Sequence, residues 1–220
     1  MCFSAGASFG TGVVLTLIGA ATIRKVAVPS HRPLAIFPFV FAMQQFVEGF
    51  VWLSFTIPLY AGWHHISTYT YLTFSHIIWP VFIPLSVLLL EKDPKRRKII
   101  RVLFAAGVIL GLYHVYCLLF LPVTSRTDGH HIQYIIAHPQ SFLLPANVLY
   151  ALATVLPFFI SSVKRVGWIG SFIGISYIAA FLIYKDHIVS IWCFFATFIS
   201  VFVYLILADF ERTISQKRII

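Results

Sequence analysis

The acidic residue most able to do chemistry in this sequence is Glu48, because it lies inside an apolar segment. The stretch 41–52 carries Glu48 together with Gln44 and Gln45, and its other residues are apolar or aromatic apart from one glycine. The chain has seven acidic residues, and Glu48 is the one that lies well within such a segment. A carboxylate in an apolar membrane segment needs a proton or a partner, so Glu48 is a candidate functional residue.

Two histidines, His76 and His114, lie within the next two apolar segments. Counted along the predicted helices, Glu48, His76 and His114 fall in the same half of the membrane or at its midplane, and consecutive helices of a bundle are usually neighbours. One carboxylate and two imidazoles suit zinc or iron, with a position left for water or substrate. The sequence therefore predicts a metal site formed by these three residues. The alternative is a structural hydrogen bond from Glu48 to either histidine, without a metal.

Other polar residues are expected to line the same pocket. Gln45 shares a helical stripe with Glu48 and could orient its carboxylate. Asn147 begins a polar line on the fifth predicted helix, and Cys193 belongs to a polar line on the seventh. We expect Gln45, Asn147 and Cys193 to bind a cofactor or ligand in a polar pocket in the outer half of the bundle.

The elements that must position these residues are membrane-spanning helices. Of the 220 residues, 60% are hydrophobic and only 10% are charged, against a charged share of about 25% in a soluble domain. Apolar runs of roughly 17 to 25 residues can cross a hydrocarbon core about 30 Å thick. The sequence predicts an all-α integral membrane bundle of seven transmembrane helices, at about 5–23, 34–55, 66–91, 99–122, 144–163, 168–184 and 187–209.

The basic residues predict how this bundle is oriented, because they accumulate on the cytoplasmic side of membrane proteins. With the amino end outside, all of the 16 Lys and Arg residues except Arg126 and Lys185 fall on the inner side. We therefore expect the amino end outside and the carboxyl end in the cytoplasm. The expected domain organisation is a single transmembrane domain over 1–209 and a short cytoplasmic tail over 210–220.

The net charge of +9 could indicate nucleic-acid binding, but membrane topology accounts for its distribution, so we expect no nucleic-acid partner. The basic run 95–98 is instead expected to contact anionic lipid headgroups. The expected partners are membrane lipids and a lipid-like or small amphipathic ligand. A homo-oligomer is also compatible with the sequence.

Three stretches carry a resemblance to a known family. The opening MCFSA (1–5), the pattern Q-x-x-E-G-x-x-W (45–52) and the stretch SIWCFFA (190–196) resemble an uncharacterised family of bacterial multi-pass membrane proteins whose members begin MCFSA. The resemblance covers most of the chain. It implies a multi-pass protein of a bacterial inner membrane and no particular activity.

Three functions are compatible with these residues. In a membrane-embedded, metal-dependent hydrolase of a lipid-like substrate, the metal would acidify a bound water. His187 or His131, predicted beside the outer loops, would then act as a catalytic residue in proton transfer. In a binding or transport protein, the same pocket would take a small ligand or cofactor. In a structural subunit of a membrane complex, the aromatic stripes would serve as interfaces.

Overall fold

The computed structural model describes residues 4–183 and 188–219, with the side chains of the last helix described from 195 to 212. The described α-helices longer than one turn, in chain order, are α1 (Ala5–Lys25), α2 (Phe37–Thr56), α3 (His64–Leu72), α4 (Trp79–Leu90), α5 (Pro94–Phe120), α6 (Gln140–Ile160), α7 (Val166–Ile183) and α8 (Ile188–Ile219). Two strands, β1 (Val123–Asp128) and β2 (His131–Ile136), lie between α5 and α6.

Within the described residues, five helical stretches are long and apolar enough to cross a membrane, and they indicate an integral membrane protein. They are Ala5–Lys25, Pro29–Thr56, Pro58–Leu90, Pro94–Phe120 and Gln140–Ile160. They coincide with the first five predicted spans. The sixth and seventh predicted spans coincide with α7 and α8, and the apolar part of α7 that is described, Val166–Ala179, is shorter.

The prediction of an all-α fold is wrong at the segment between α5 and α6, which forms an antiparallel hairpin. Gly129, with a φ of 57°, begins the two-residue turn between β1 and β2, where only glycine adopts this conformation at low cost. The hairpin is anchored by Ile132, whose side chain is fully buried against Val51, Trp52 and Tyr71. The strands were not expected because each has only six residues and β1 is mostly polar.

Helices α1 and α2 pack closely because glycines on each accept aromatic rings from the other. A Cβ added to Gly12 would lie 2.9 Å from the ring of Phe46, and one added to Gly49 would lie 2.7 Å from the ring of Phe9. Helix α8 packs against α1, α2 and α7, while α4 packs against α5 and α6. Neighbours in sequence are therefore mostly neighbours in space, and α8 closes the bundle against α1.

The two ends of the bundle differ in character. We call the end that carries β1, β2 and the turn 57–63 the hairpin end. The basic end is the opposite one, where 26–36, 91–93 and 161–165 connect successive helices. There His31 Nδ1 lies 3.1 Å from a carboxylate oxygen of Glu211, which attaches the carboxyl-terminal part of α8 to the turn after α1.

Candidate functional site

The central feature of the site is a π-helical turn, Thr73–Ile78, that joins α3 to α4. The backbone N–H of Trp79 donates to Phe74, five residues earlier, and Pro80 has no N–H to donate. The carbonyl of Ser75 accepts a hydrogen bond of 2.8 Å from the hydroxyl of Tyr150 instead. Such π-helical turns are frequent at functional sites, and this one contains a candidate ligand, His76.

Removal of the Tyr150 hydroxyl tests how much this contact supports the turn. Tyr150→Phe leaves the Ser75 carbonyl without that donor, so we expect a loss of about 1 kcal/mol in unfolding free energy. Thermal unfolding of the purified protein in detergent measures it. Tyr116→Phe, at a side chain that is 55% exposed, is the matched control and should unfold as the wild type does. Equal stability of Tyr150→Phe and Tyr116→Phe would show that the hydrogen bond from Tyr150 to the Ser75 carbonyl does not support the turn.

The structure brings together two of the three predicted metal ligands. The ring of His76, in the π-helical turn, lies 5.0 Å from the ring of His114 on α5, measured between centroids, at an interplanar angle of 64°. His114 is 4% exposed. Two imidazoles from neighbouring segments of the chain are therefore in contact.

Hydrogen bonds set the tautomers of both rings. His114 Nδ1 lies 3.0 Å from the carbonyl oxygen of Leu110, which can only accept, so Nδ1 carries the proton. His76 Nδ1 lies 2.7 Å from the hydroxyl of Ser75, which itself donates to the carbonyl of Leu72. Nδ1 of His76 therefore donates as well. Both rings are left with a lone pair on Nε2, the arrangement found in metal-ligating histidines.

A third imidazole, which the sequence did not indicate, completes the histidine cluster. His138 follows β2, and its ring centroid lies 5.7 Å from that of His114 at 90°. It stacks on the ring of Tyr113, whose hydroxyl is 3.3 Å from His138 Nδ1. Burial lowers the pKa of His138, which favours the neutral imidazole. The hairpin, unrecognised in the sequence, returns His138 to α5.

Glu48 lies in a separate buried network on α2. Its side chain is fully buried and accepts a hydrogen bond of 3.3 Å from Gln45 Nε2, as predicted. The side-chain oxygen of Gln44 accepts one of 2.7 Å from Trp79 Nε1. Among the described residues, no three His, Cys, Asp or Glu side chains are grouped so that they could hold a metal ion. Metal binding by Glu48 with His76 therefore stays a prediction.

The other predicted site residues whose side chains the structure describes are not gathered in this cluster. Asn147 is exposed on α6, and Tyr150, one turn later, contacts the site instead. His131 is the first residue of β2 and pairs with Asp128 in the hairpin register. His187 lies outside the described residues, as does the side chain of Cys193.

Comparison with known proteins yields one match. The sequence model of DUF6629, described as a family of unknown function, matches residues 1–218. This is consistent with the resemblance to an uncharacterised family. No curated protein and no solved structure matches the chain.

Proposed function

We propose that this chain, which belongs to the DUF6629 family, is an integral membrane protein that binds zinc or iron at the hairpin end and hydrolyses a lipid-like ester there. The proposed ligands are His76, His114 and His138. The observation that carries the proposal is the pairing of two imidazoles, those of the buried His114 and the half-buried His76, with ring centroids 5.0 Å apart and with both Nδ1 atoms donating to protein acceptors.

The spacing of the rings supports a shared ion. Imidazole nitrogens bind zinc at about 2.0–2.1 Å in a tetrahedral arrangement, which separates the ring centroids by roughly 5 Å. The observed separations are 5.0 and 5.7 Å. As placed, the three side chains are not grouped so that they could hold an ion. Metal binding would therefore require rotation about the side-chain bonds to bring the three Nε2 atoms together, with His138 donating from Nδ1 to the oxygen of Tyr113.

A metal held by His76, His114 and His138 would supply an acidified water for attack on the ester. His131, on the hairpin, and His187 remain the candidates for protonating the departing alcohol. In the proposed orientation the edge of the cluster would face lipid, since Phe142, which is 56% exposed, lies 6.1 Å from Tyr113 between ring centroids. A substrate with an acyl chain can therefore approach along the bilayer.

The proposed orientation puts the hairpin end on the outer side of a cell membrane. The basic end carries most of the Lys and Arg residues, including 95–98 at the start of α5, and such residues accumulate in the cytoplasm. The amino end and the histidine cluster then face the outer leaflet. A bacterial inner membrane fits this arrangement.

Elemental analysis of the detergent-purified full chain tests the metal site. We expect about one zinc or iron per chain in the wild type, and less than a tenth of that in His76→Ala and His114→Ala. In a zinc titration, His138→Ala should bind zinc at least about 10-fold more weakly than the wild type. His130→Ala, at an exposed histidine of the hairpin turn, is the matched control and should keep its metal.

Glu48→Gln distinguishes a site formed by His76, His114 and His138 from the predicted site formed by Glu48, His76 and His114. If His138 is the third ligand, Glu48→Gln keeps its metal. If Glu48 is the third ligand, Glu48→Gln loses its metal, as His114→Ala does. A folded wild-type protein that neither retains metal through purification nor binds added zinc would overturn the proposal. Hydrolysis of short-chain and long-chain esters, with and without a chelator, then tests the activity.

The second candidate is a small-ligand or proton-binding protein, and the buried Glu48 favours it. A fully buried carboxylate that accepts a hydrogen bond from Gln45 is a typical proton or cation site in membrane proteins. Under this alternative, Glu48→Gln abolishes ligand binding or transport, whereas His138→Ala leaves it intact.

A further inference from the structure

Another histidine at the hairpin end, outside the histidine cluster, lies between two serines. His64, the first residue of α3, lies with Nδ1 3.0 Å from the hydroxyl of Ser54 on α2. Its Nε2 lies 3.3 Å from the hydroxyl of Ser125, in the middle of β1. None of these residues belongs to the histidine cluster described above.

The direction of these hydrogen bonds follows from the other partners of the two serine hydroxyls. The Ser54 hydroxyl donates to the carbonyl of Val51 at 2.6 Å, so it accepts from His64 Nδ1–H. Nε2 then has the lone pair, and the Ser125 hydroxyl donates to it. The hydroxyl of Thr68, 2.8 Å from Ser125, donates to the Ser125 oxygen.

The imidazole is also held in place by packing. The ring of Phe55 meets the ring of His64 edge-on, with centroids 4.6 Å apart. His64 and Ser125 are both partly exposed, whereas Ser54 is buried. The serine that could react is therefore partly exposed, while the serine that orients the imidazole is buried.

We propose that Ser125 is a nucleophile activated by His64, so that the hairpin end carries an acyl-transfer site for ester substrates. A serine donating to an imidazole that a third group orients is the arrangement of nucleophilic serine catalysis. Here the orienting group is the hydroxyl of Ser54 rather than a carboxylate. A neutral partner stabilises the imidazolium less, so the site reacts more slowly than one with an aspartate.

The reaction has two balanced steps. The Ser125 oxygen attacks the ester carbonyl carbon, and its proton passes to His64 Nε2. The bond to the alcohol oxygen then breaks, the alcohol leaves with that proton, and an acyl-serine remains. Water, deprotonated by the same imidazole, attacks the acyl-serine and releases the carboxylic acid, while the proton on His64 returns to Ser125.

A fluorophosphonate probe tests the nucleophile directly. The serine oxygen forms a bond to phosphorus, fluoride leaves, and the serine proton is taken up by His64. With the full chain in detergent, we expect labelling on Ser125, located by mass spectrometry, and none in Ser125→Ala. The labelling rate should fall at least 10-fold in His64→Gln and several-fold in Ser54→Ala.

Thr127→Ala is the matched control, because it removes an exposed hydroxyl two residues along the same strand. It should label at the wild-type rate. Thermal unfolding of each variant shows whether the chain is folded when it is labelled, and Ser125→Ala is a change small enough to keep the hairpin. Equal labelling of Ser125→Ala, or wild-type labelling no greater than that of heat-denatured protein, would overturn the proposal.

This inference is independent of the proposed metal site. Treatment with a chelator should leave the labelling of Ser125 unchanged, because no metal takes part in the serine reaction. A wild-type protein that binds zinc but does not label refutes only the serine site. A protein that labels at Ser125 but binds no metal refutes only the metal site.

Discussion

Gly107→Ala is expected to prevent the chain from folding stably. A Cβ at Gly107 on α5 would lie 1.9 Å from the carbonyl oxygen of Pro80 and 2.9 Å from its carbonyl carbon. Both are backbone atoms, so no side-chain rotation relieves the overlap. We expect a loss of at least about 3 kcal/mol, the upper end of the cost of overpacking. Thermal unfolding in detergent, with the yield of monodisperse protein, measures it.

The same substitution should disturb the histidine cluster. His114 lies two turns after Gly107 on the same helical face, so separating α5 from α4 moves His114 away from His76. Metal content should therefore fall even in any folded fraction. Gly6→Ala is the matched control, since nothing lies within 4 Å of a Cβ added there. A Gly107→Ala protein with the wild-type midpoint would show that α4 and α5 do not pack this closely.

Glu91→Gln is expected to have the second largest effect, at the basic end. The Glu91 side chain is 2% exposed, although it is an acid. Its carboxylate accepts from the backbone N–H groups of Lys92 and Asp93 at 2.9 and 2.8 Å. It also accepts from the backbone N–H and the hydroxyl of Ser162, both at 2.6 Å. One carboxylate thus joins the turn after α4 to the turn after α6.

A glutamine has a single acceptor oxygen, and its NH₂ group would face donors. We expect Glu91→Gln to cost about 2–4 kcal/mol, since hydrogen bonds to charged groups contribute about 1.5–3 kcal/mol each. A double-mutant cycle with Ser162→Ala isolates the coupling, which should exceed about 1 kcal/mol. Additive effects of Glu91→Gln and Ser162→Ala would show that this contact does not hold the two turns together.

The pH dependence of the stabilisation by the Glu91 carboxylate follows from the pKa of Glu91. Burial by itself raises that pKa, but hydrogen bonds from the Ser162 side chain and from backbone N–H groups outweigh it and lower the pKa from 4.5 to about 2. The stabilisation is therefore fully present above pH 4.5 and is lost as the pH falls towards 2. The stability difference between wild type and Glu91→Gln should shrink across that interval. A constant difference would contradict the assignment.

The sequence by itself determined the membrane character, the helices and part of the site. Long apolar runs and sparse charge predict spanning helices because lipid requires every backbone polar group to be satisfied within the segment. The same local periodicity predicts that Gln45 faces Glu48. The contact between His76 and His114 agrees with their similar depth on consecutive helices, and the absence of an N–H on Pro80 accounts for the distorted turn at His76.

The tertiary structure alone decided the remaining parts of the site. His138 reaches His114, and Ser125 reaches His64, because the hairpin folds back over the end of the bundle. Its strands are only six residues each, and their local pattern does not show where a hairpin docks on the bundle, so the sequence did not predict these contacts. The rotation of α6 exposes Asn147 and turns Tyr150 inward. Contacts between elements depend on how helices rotate and how closely backbones approach, which local periodicity does not encode.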